Sequence, residues 1–584
     1  MSIDLVKMRA ISRLFSPTKQ EASVIGKPRK SNNAWIDLLW LSVLIAIIYF
    51  LFLGSVPLLP PDEGRYAEIA REMLVSHQYA MPHLDGILYF EKPPLSYWIN
   101  ALLIHCLGAS EWGVRSGVAI MGLSTCVATY FTAAKLFNRR TGLLSASVLS
   151  SSLLFFMMSH IVTTDMPLTF FLTMSLYAFL LAFCEGSTRK KAFWFTLAFT
   201  CSGLAMLTKG LIGIVFPSLI IGIWIFVTKQ WQQVKLKYIV SWGLIISLIN
   251  IPWLWFVQAK VPAFLHFHFI DQQIARYATT IAHREMSFVV YCLVFLIGLF
   301  PWITWLPLAV YAALKTNANS NQSKAVTYYL LIWPTVIWLF FAGSRSILIP
   351  YLLPIIPPLA ILIAEYFNEF WQEKLNKIQQ NSMLMFSMAF AFLGGAMYCI
   401  LRYTDLLKIP PEESYRILII IMMAFLSAGI GFYARKHWRA SSVFFLICMS
   451  SYGLFIYLWS SSYLFTDKSV KPLALQAKKY IEKVPSTLVV NYGNYHQDLP
   501  YYLEQLVEIV DWKNELTFGF EHQLDVKLRL VEKDFFALQW QSKQPLLVLI
   551  SKVDFSGLCK EGAGHCYIEG DLGNNLLIAN QPHS

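Results

Sequence analysis

The chain has 584 residues, of which 56% are hydrophobic and only 14% are charged. Soluble domains are about 45–50% apolar and about 25% charged, so this composition excludes a single soluble core, and it also excludes disorder, a disulfide scaffold, collagen and a coiled coil. It indicates an all-α polytopic membrane protein. The net charge of +12 would favour a nucleic-acid partner in a soluble protein, but membrane proteins concentrate basic residues in their cytoplasmic loops.

Thirteen apolar runs are long enough to cross a bilayer, which takes about 20 residues. In chain order they are 35–57, 112–135, 141–161, 165–184, 192–208, 210–228, 237–257, 287–314, 326–343, 348–365, 381–402, 415–434 and 441–465. The first run follows a basic tail, residues 1–34, and is too long for a cleaved signal peptide. We therefore expect a cytoplasmic tail at 1–34, a membrane domain at 35–465 and a separate C-terminal domain at 466–584.

The basic residues alternate in step with these runs. Seven lie in the tail, and each connection that should be cytoplasmic is basic, through Lys135/Arg139/Arg140, Arg189/Lys190/Lys191, Lys229/Lys235/Lys237, Lys315/Lys324, Lys374/Lys377 and Arg435/Lys436/Arg439. The positive-inside rule then places the N-terminus in the cytoplasm and the C-terminal domain on the opposite face. Because topology accounts for most of the charge, we expect membrane lipids as partners and no nucleic acid.

The first outer connection, residues 58–111, has a helical pattern. Asp62 follows Pro60-Pro61 where a helix N-cap is expected. One face then carries Tyr66, Ile69, Ala70, Met73 and Leu74, and the other carries Arg65, Glu68, Arg71 and Glu72. This pattern is typical of an amphipathic helix lying on the membrane surface. Asp85-Gly86 predicts a turn, and Pro93-Pro94 predicts the start of a second short helix.

Ionisable and tyrosine side chains gather on the same outer face. They are Asp62, Tyr89, Lys92, Asp165, Lys209, Arg276, His283, Arg345 and Tyr351. A charged group at the end of a span is costly unless it is paired or functional. For one residue alone, an interfacial anchor is the simpler interpretation. Acids and bases concentrated on one face favour a functional site.

The chemistry of this set suits a transferase with a phosphate leaving group. Asp62 and Asp165 could orient or deprotonate an acceptor, or face positive charge developing on a donor sugar. Lys92, Lys209 and Arg276 could hold the leaving phosphate. Nucleotides are absent outside the cytoplasm, so we expect a lipid-linked phosphosugar donor and no nucleotide cofactor.

Eleven segments carry a resemblance to a known family. They are Pro61–Ile69, Tyr89–Pro93, Tyr97-Trp98, Thr164–Pro167, Leu207–Gly210, Gln273–Tyr277, Ser344-Arg345, Tyr351–Pro354, Pro357–Ala360, Asn514–Gly519 and Pro545–Ile550. Together they resemble the bacterial lipid A aminoarabinose transferases, which belong to the protein O-mannosyltransferase-like GT-C glycosyltransferases. The likeness extends over nearly the whole chain.

The resemblance implies a GT-C membrane domain of thirteen spans with a small periplasmic α/β domain. It implies inverting transfer of 4-amino-4-deoxy-L-arabinose from undecaprenyl phosphate to a lipid A phosphate at the outer face of the bacterial inner membrane. That reaction masks negative charge against polymyxin. We expect the chain to act as a monomer.

Residue roles follow from the same resemblance. It implies Asp62 and Asp165 as catalytic acids. It implies a donor phosphate and sugar site formed by Arg65, Tyr66, Tyr89, Lys92, Lys209, Arg276, Arg345 and Tyr351. A divalent ion, zinc in the family, is implied beside Glu91, and among the nearby histidines (His266, His268 and His283) we favour His283 as its companion.

Three positions depart from the family pattern. Gln273 stands where the family usually has His, Ile347 stands where many members have Lys, and Pro350 is displaced. These departures concern the second phosphate-binding base of the family, and we expect Arg345 to supply the missing positive charge.

The composition changes beyond residue 466 to that of a small α/β domain. Helical patterns cover Lys471–Lys483 and Leu499–Gln505, and short apolar runs cover Leu488–Asn491, Leu506–Val510, Pro545–Ile550 and Leu576–Asn580. We interpret this domain as a cap or partner surface without a catalytic cluster, and His496 and Asp498 as ordinary surface groups.

Two of the nine cysteines, Cys559 and Cys566, lie in this domain. A disulfide is possible between them in an oxidising compartment, and a Cys-His-Cys metal site with His565 is the less favoured alternative. The other seven lie in or beside spans, where small buried apolar residues are the simplest interpretation.

Two other functions are compatible with parts of the pattern. The same enzyme class could act on protein, O-antigen or another envelope glycan. A lipid or sugar transporter or flippase would be a different class, but it should show inverted repeats and discontinuous helices converging near the midplane. We find no repeat of that kind, and the ionisable residues gather at one face.

Overall fold

The computed structural model describes residues 34–582 apart from 234, 280–285, 317–320, 404–413, 461–467, 524–525, 527–529 and 561–565. In this part of the chain, eight helices are long and apolar enough to cross a membrane: Glu111–Leu136, Asp165–Cys184, Leu236–Lys260, Ser323–Ala342, Ile349–Glu369, Lys377–Cys399, Ile417–His437 and Ala440–Ser460. Each coincides with a predicted run, so the chain is a multi-span membrane protein. The basic tail before Ala34 lies outside the described residues.

The helices that precede the C-terminal domain are α1 (Ala34–Phe50), α2 (Asp62–Ser76), α3 (Leu95–Leu107), α4 (Glu111–Leu136), α5 (Arg139–Ser150), α6 (Leu153–Met158), α7 (Asp165–Cys184), α8 (Thr188–Lys209), α9 (Ile212–Thr228), α10 (Leu236–Lys260), α11 (Arg276–Ala278), α12 (Phe288–Gly298), α13 (Leu306–Thr316), α14 (Asn321–Ala342), α15 (Ile356–Glu369), α16 (Lys377–Tyr403), α17 (Ser414–His437) and α18 (Ala440–Ser460). A π-helix, His266–Ala275, precedes α11, and 3₁₀ segments cover Trp231–Gln233, Trp302–Thr304 and Ile349–Ile355.

Two predicted runs, 141–161 and 287–314, are wrong as single helices. The first divides into α5 and α6 at Ser151-Ser152, whose hydroxyls donate to carbonyls one turn earlier and so compete with the regular helix. The second divides at Pro301, which has no N–H to continue a helix. The breaks face each other, since the Leu153 N–H donates to the Phe300 carbonyl (3.0 Å) and the Trp302 indole donates to the Ser151 hydroxyl (3.0 Å).

The first outer connection folds as predicted in its elements. Helix α3 follows Pro93-Pro94, and Asp85-Gly86 forms the turn between strands β1 (His83–Leu84) and β2 (Ile87–Leu88), with both turn residues at positive φ as a tight hairpin requires. One detail is wrong: Asp62 is the first helical residue of α2, not its N-cap. Pro61 precedes it, and no side chain caps this end.

The C-terminal domain is a six-stranded mixed sheet with helices. Its elements are α19 (Lys471–Lys483), β3 (Leu488–Tyr492), α20 (Asp498–Leu503), β4 (Glu508–Val510), α21 (Thr517–His522), β5 (Leu530–Val531), α22 (Lys533–Trp540), β6 (Leu546–Ser551), α23 (Lys552–Lys560), β7 (Tyr567–Leu572) and β8 (Asn575–Ala579), with a 3₁₀ turn at Asn514–Leu516. The strand order is β5-β4-β3-β6-β8-β7, parallel from β5 to β6 and antiparallel beyond. All four predicted apolar runs contribute strands, and the Cys559–Cys566 disulfide is present.

The C-terminal domain packs directly onto the first outer connection. The Val507 N–H donates to Asp85 (2.8 Å), the Leu58 N–H donates to the Tyr502 hydroxyl (2.8 Å), and the Leu88 N–H donates to Gln523 (2.9 Å). The charged side of α2 is consequently covered, because Arg65, Glu68 and Glu72 are buried. The apolar residues Ile69 and Met73 are buried as well. Our expectation of an amphipathic helix lying on the membrane surface is therefore wrong, because both sides of α2 face protein.

Candidate active site

The first group of site residues surrounds Arg65 on α2. Its guanidinium forms an ion pair with Asp62 one turn earlier (3.1 Å), and a second ion pair with Glu515 of the C-terminal domain. The Asp62 side chain is 43% exposed, whereas the side chains of Arg65 and Glu515 are 5% and 12% exposed. Asp62 is thus the carboxylate of this group that a substrate can reach.

Several polar atoms around Arg65 are buried without a protein partner. The guanidinium lies 5.9 Å from the ring centroids of both Tyr66 and Tyr89. Among the described residues, the Arg65 Nε and the hydroxyls of Tyr89 and Tyr97 have no hydrogen-bond partner. Buried polar groups are nearly always satisfied in folded proteins. Three buried polar atoms without partners in one place therefore indicate a surface that binds a polar ligand.

The second group pairs Glu91 with Arg276. Their side chains lie 3.2 Å apart, and Arg276 also donates to Gln272 (2.7 Å). Burial alone would raise the pKa of Glu91, but the charges of Arg276, Lys92 and Arg65 outweigh it and hold that pKa below its ordinary value. Glu91 is therefore a carboxylate among three cations, and this corner has an excess of positive charge.

The third group joins Asp165, the first residue of α7, to Lys209, the last residue of α8. The two side chains form an ion pair, and both are less than 10% exposed. The Lys209 ammonium also lies 4.6 Å from the ring centroid of Tyr351, within the range of a cation–π contact. Arg276 lies within electrostatic reach of the same tyrosine. The second and third groups are thus neighbours.

Tyr66 connects all three groups. Burial raises its pKa, the carboxylates of Asp62, Glu91 and Asp165 raise it further, and Arg65 opposes the effect. The Tyr66 hydroxyl is therefore close enough to one carboxylate of each group to be affected by its charge. The fold brings together, around one buried cluster, residues that the sequence separates by up to 450 positions.

Gln273 connects the segments that carry Lys209 and Arg276. Its side-chain oxygen accepts from the Leu211 N–H, and its amide donates to the His268 carbonyl (3.1 Å). A Cβ at Gly210, whose φ is +93°, would lie 2.4 Å from this side chain. Gln273 therefore ties the π-helix that leads to Arg276 to the break that follows Lys209.

Arg345 lies beside this cluster. Its backbone N–H donates to the Tyr277 carbonyl (3.1 Å), next to Arg276, while its side chain is exposed and has no ion pair to the described residues. It is therefore available as an additional cation at the rim. The other two departures, Ile347 and Pro350, place no charge in the cluster.

The histidines near Glu91 differ in their environments. His283 lies outside the described residues. His266 is exposed, 3.5 Å from Asp271. His268 is buried, and its Nδ1 lies 3.2 Å from the Phe90 carbonyl, so this nitrogen carries the proton. Burial lowers the pKa of His268 to about 4, and the ring is neutral at physiological pH. Among the described residues no group of three His, Cys, Asp or Glu could hold a metal ion.

Sequence reasoning missed the roles of three charged residues, Glu515, Glu63 and Arg115. Glu515 lies in a segment that we had noted only for its resemblance, and we had assigned no chemistry to its domain. Glu63 forms a fully buried ion pair with Arg115 (2.6 Å), and Arg115 also donates to the carbonyls of Leu53 and Pro57. This second pair anchors the start of α2 to α4 and does not face the cluster. Asp498 is also buried, which corrects its assignment as a surface group.

Two family models match the chain. Residues 36–268 match the family described as dolichyl-phosphate-mannose-protein mannosyltransferase, and residues 476–580 match the aminoarabinose transferase C-terminal domain. The undecaprenyl phosphate-alpha-4-amino-4-deoxy-L-arabinose arabinosyl transferase of Erwinia tasmaniensis is 28% identical over 86% of this chain and 90% of its own length. The protein of the same name from Aeromonas salmonicida is 26% identical over 88% and 94%.

The chain is thus similar to aminoarabinose transferases in its C-terminal domain, and to relatives of that name over most of its length. The glycosyltransferase match precedes the C-terminal match, which is the domain order that we expected from the sequence. The first match contains α2, Glu91 and the Asp165–Lys209 pair, and the second contains Glu515.

Solved structures show the same fold. ArnT from Cupriavidus metallidurans bound to undecaprenyl phosphate superposes with a TM-score of 0.82 at 23% identity, covering 94% of this chain and 99% of that one. The apo form of the same protein superposes with a TM-score of 0.79 over 94% of this chain. The predicted GT-C fold is therefore confirmed.

Proposed function

We propose that this protein transfers 4-amino-4-deoxy-L-arabinose from undecaprenyl phosphate to a phosphate of lipid A. The relatives with this name match most of the chain, and the C-terminal model is that of aminoarabinose transferases. We place the reaction at the periplasmic face of the bacterial inner membrane, with the N-terminus in the cytoplasm. Residues 35–465 then bind the donor, and residues 466–584 close the site from above.

One observation supports this proposal most directly: buried acids and bases converge around Tyr66 beside polar atoms that no protein group satisfies. Arg65, Tyr89 and Tyr97 present those atoms, and a sugar could supply the missing hydrogen bonds. Charged groups that are fixed in a water-poor site stabilise developing charge better than water does.

In this proposal Arg276 and Lys92 bind the donor phosphate. Both cations act electrostatically on Glu91, and Arg276 forms an ion pair with it. A phosphate brings more negative charge than the carboxylate and can accept two parallel hydrogen bonds from a guanidinium. Lys209 and Tyr351 stand next to this position and would stabilise the charge that develops on the leaving phosphate, with Arg345 at the rim.

The acceptor approaches from the side of Asp62. A lipid A phosphate is already ionised, so its attack on the anomeric carbon needs orientation more than a strong base. Asp62 is the exposed carboxylate at the N-terminal end of α2, and Asp165 lies in the same field. In-line attack opposite the leaving phosphate inverts the anomeric centre. The bond between the anomeric carbon and the phosphate oxygen of the donor breaks as the acceptor oxygen bonds to that carbon, and undecaprenyl phosphate leaves with the oxygen and the bonding electron pair.

A divalent ion beside Glu91 and His283 remains a proposal. Three cationic side chains already surround Glu91, which disfavours a metal cation there, and His268 presents a neutral ring next to Phe90. Elemental analysis of the purified full chain tests the proposal. If the ion binds beside Glu91, the metal content per protein molecule should be lower in Glu91→Gln than in the wild type.

Mass spectrometry of lipid A tests the function. Expression of the chain in a host that makes the donor but lacks its own transferase should add the mass of aminoarabinose to lipid A. An unchanged lipid A together with a newly modified protein or glycan would favour the second acceptor class instead.

Two variants test the assigned roles. Asp62→Asn should abolish transfer at unchanged protein level, whereas Asp511→Asn, at an exposed ion pair with Lys533, should not. Lys92→Ala should raise the KM for the donor more than it lowers the yield of folded protein. Full activity of Asp62→Asn would contradict its role, and an unaltered donor KM in Lys92→Ala would contradict the phosphate clamp.

A further inference from the structure

A groove of about 1000 Å³ opens at the end of the bundle opposite the candidate active site. It is lined by the first turns of α1, by the start of α5, by the residues that end α15 and by α18. Helix α1 begins at the groove and ends at the outer connection, and its 17 residues span about 25 Å. The groove is therefore separated from Asp62 by the length of a helix.

The walls of the groove are apolar and open. Trp40, Leu44 and Phe445 line it with exposed fractions of 69%, 53% and 60%. Exposed aromatic and aliphatic side chains at this depth face hydrocarbon in a membrane protein, and tryptophan favours the boundary with the head groups. The walls thus fit an acyl chain.

One end of the groove carries an uncompensated charge. Arg139 is neutralised by an ion pair with Asp37. Arg140 is exposed, lies 6.0 Å from the Trp371 ring centroid, and has no carboxylate partner among the described residues. The amide of Asn368, also in the lining, makes no hydrogen bond to the part of the chain that the structure describes. A cation and free amide donors beside an apolar slot match a phosphodiester attached to acyl chains.

We propose that this groove binds one anionic membrane phospholipid of the leaflet opposite the transfer site. Its phosphate contacts Arg140 and Asn368, and an acyl chain lies against Trp40, Leu44 and Phe445. The chain's own N-terminal residues fit less well, because positions 1–33 contain seven basic and two acidic residues and would be repelled by Arg140. This site is independent of the transfer reaction.

Native mass spectrometry of the full chain in detergent tests the proposal. The probes are 1-palmitoyl-2-oleoyl phosphatidylglycerol and the zwitterionic phosphatidylcholine with the same acyl chains. One phosphatidylglycerol should be retained about five-fold more strongly than phosphatidylcholine, the contribution expected of one basic residue near an anionic lipid. Arg140→Gln should remove this preference. Phe445→Ala should weaken retention of both lipids.

Lys436→Gln is the matched control. It removes a basic residue from the same end of the bundle, but Lys436 is not in the groove lining, so the preference should persist. Equal retention of the two lipids by the wild type, or equal effects of Arg140→Gln and Lys436→Gln, would overturn the proposal. So would a several-fold gain in phosphatidylglycerol binding when residues 1–33 are removed, since the tail would then be the normal occupant. Asn368→Leu supplies a second test if Arg140→Gln does not fold.

Discussion

Glu515 of the C-terminal domain forms an ion pair with Arg65 of the first outer connection, 450 positions earlier in the chain. Burial raises the pKa of Glu515, although the charge of Arg65 opposes this shift. Gln497 donates a further hydrogen bond to the carboxylate (2.9 Å). The C-terminal domain therefore fixes the position of a cation in the candidate site.

Replacing this carboxylate should impair transfer without unfolding the chain. In Glu515→Gln the ion pair is lost, Arg65 can turn toward Asp62, and we expect kcat/KM to fall by up to about 100-fold, the scale of a small misplacement at a reacting centre. The measurement is donor turnover in detergent at matched protein concentration. Glu504→Gln, at an exposed ion pair with Lys478, is the control and should retain activity. Equal activity of the two variants would contradict the positioning role.

The glycine at position 64 allows the two domains to approach. A Cβ there would lie 2.6 to 2.8 Å from the backbone and Cβ of Asp498, which cannot move as a flexible side chain could. Gly64→Ala should therefore destabilise the contact between α2 and the C-terminal domain, the domain seam, by about 1–3 kcal/mol. A lower midpoint of thermal unfolding and faster proteolysis would show this loss. Gly557→Ala, with open space around its Cβ position, should be neutral. A normal midpoint in Gly64→Ala would show that the contact is not rigid.

Most of the fold could be predicted from the sequence because apolar runs and basic loops are local signals. The eight long spans and helix α19 fall where those signals place them. The breaks at Ser151-Ser152 and Pro301 were missed because both lie inside continuous apolar runs, where hydropathy does not register how serine hydroxyls and proline disturb a helix.

The candidate site was partly predictable for a related reason. Asp62, Asp165, Lys209 and Arg276 stand out as charges at the ends of spans, which is a local anomaly. Glu515 is an ordinary acid in a soluble-type domain, and its importance depends on a tertiary contact that no spacing reveals. The burial of Glu68 and Glu72 was missed for the same reason, since the covering surface comes from the other end of the chain.

Gln273 should act by positioning Lys209 rather than by touching substrate. Gln273→Ala removes the hydrogen bond from the Leu211 N–H, just after Lys209, and the hydrogen bond to the His268 carbonyl, so we expect a several-fold rise in the donor KM with a smaller change in kcat. Gln273→His, the residue usual in the family, can still donate one hydrogen bond and should restore part of the affinity. If Ala and His variants show the same KM, the side chain has no positioning role. Gln380→Ala, outside the site, is the control.

The buried pair of Glu63 and Arg115 should matter for folding and not for chemistry. Both side chains are fully buried, and Arg115 also satisfies the carbonyls before α2. Arg115→Ala leaves an unpaired buried carboxylate, which costs about 3–5 kcal/mol. We expect a low yield of folded protein, with near-normal turnover per folded molecule as judged by size-exclusion chromatography. Normal yield with lost turnover would place Arg115 in the reaction instead.

Asp498 gives the domain seam a dependence on pH. Burial raises the pKa of this carboxyl from 3.8 to about 6, although hydrogen bonds from Ser469 and the Val470 N–H oppose the shift. Because the folded-state pKa is the higher one, the group's stabilising contribution is complete below about pH 4 and is lost as the pH rises to about 6, by about 3 kcal/mol in all. Asp498→Asn cannot ionise and should flatten this part of the stability curve. Thermal unfolding of both proteins between pH 4.5 and pH 7 measures the difference. Parallel curves for wild type and Asp498→Asn would show that Asp498 does not titrate in this range.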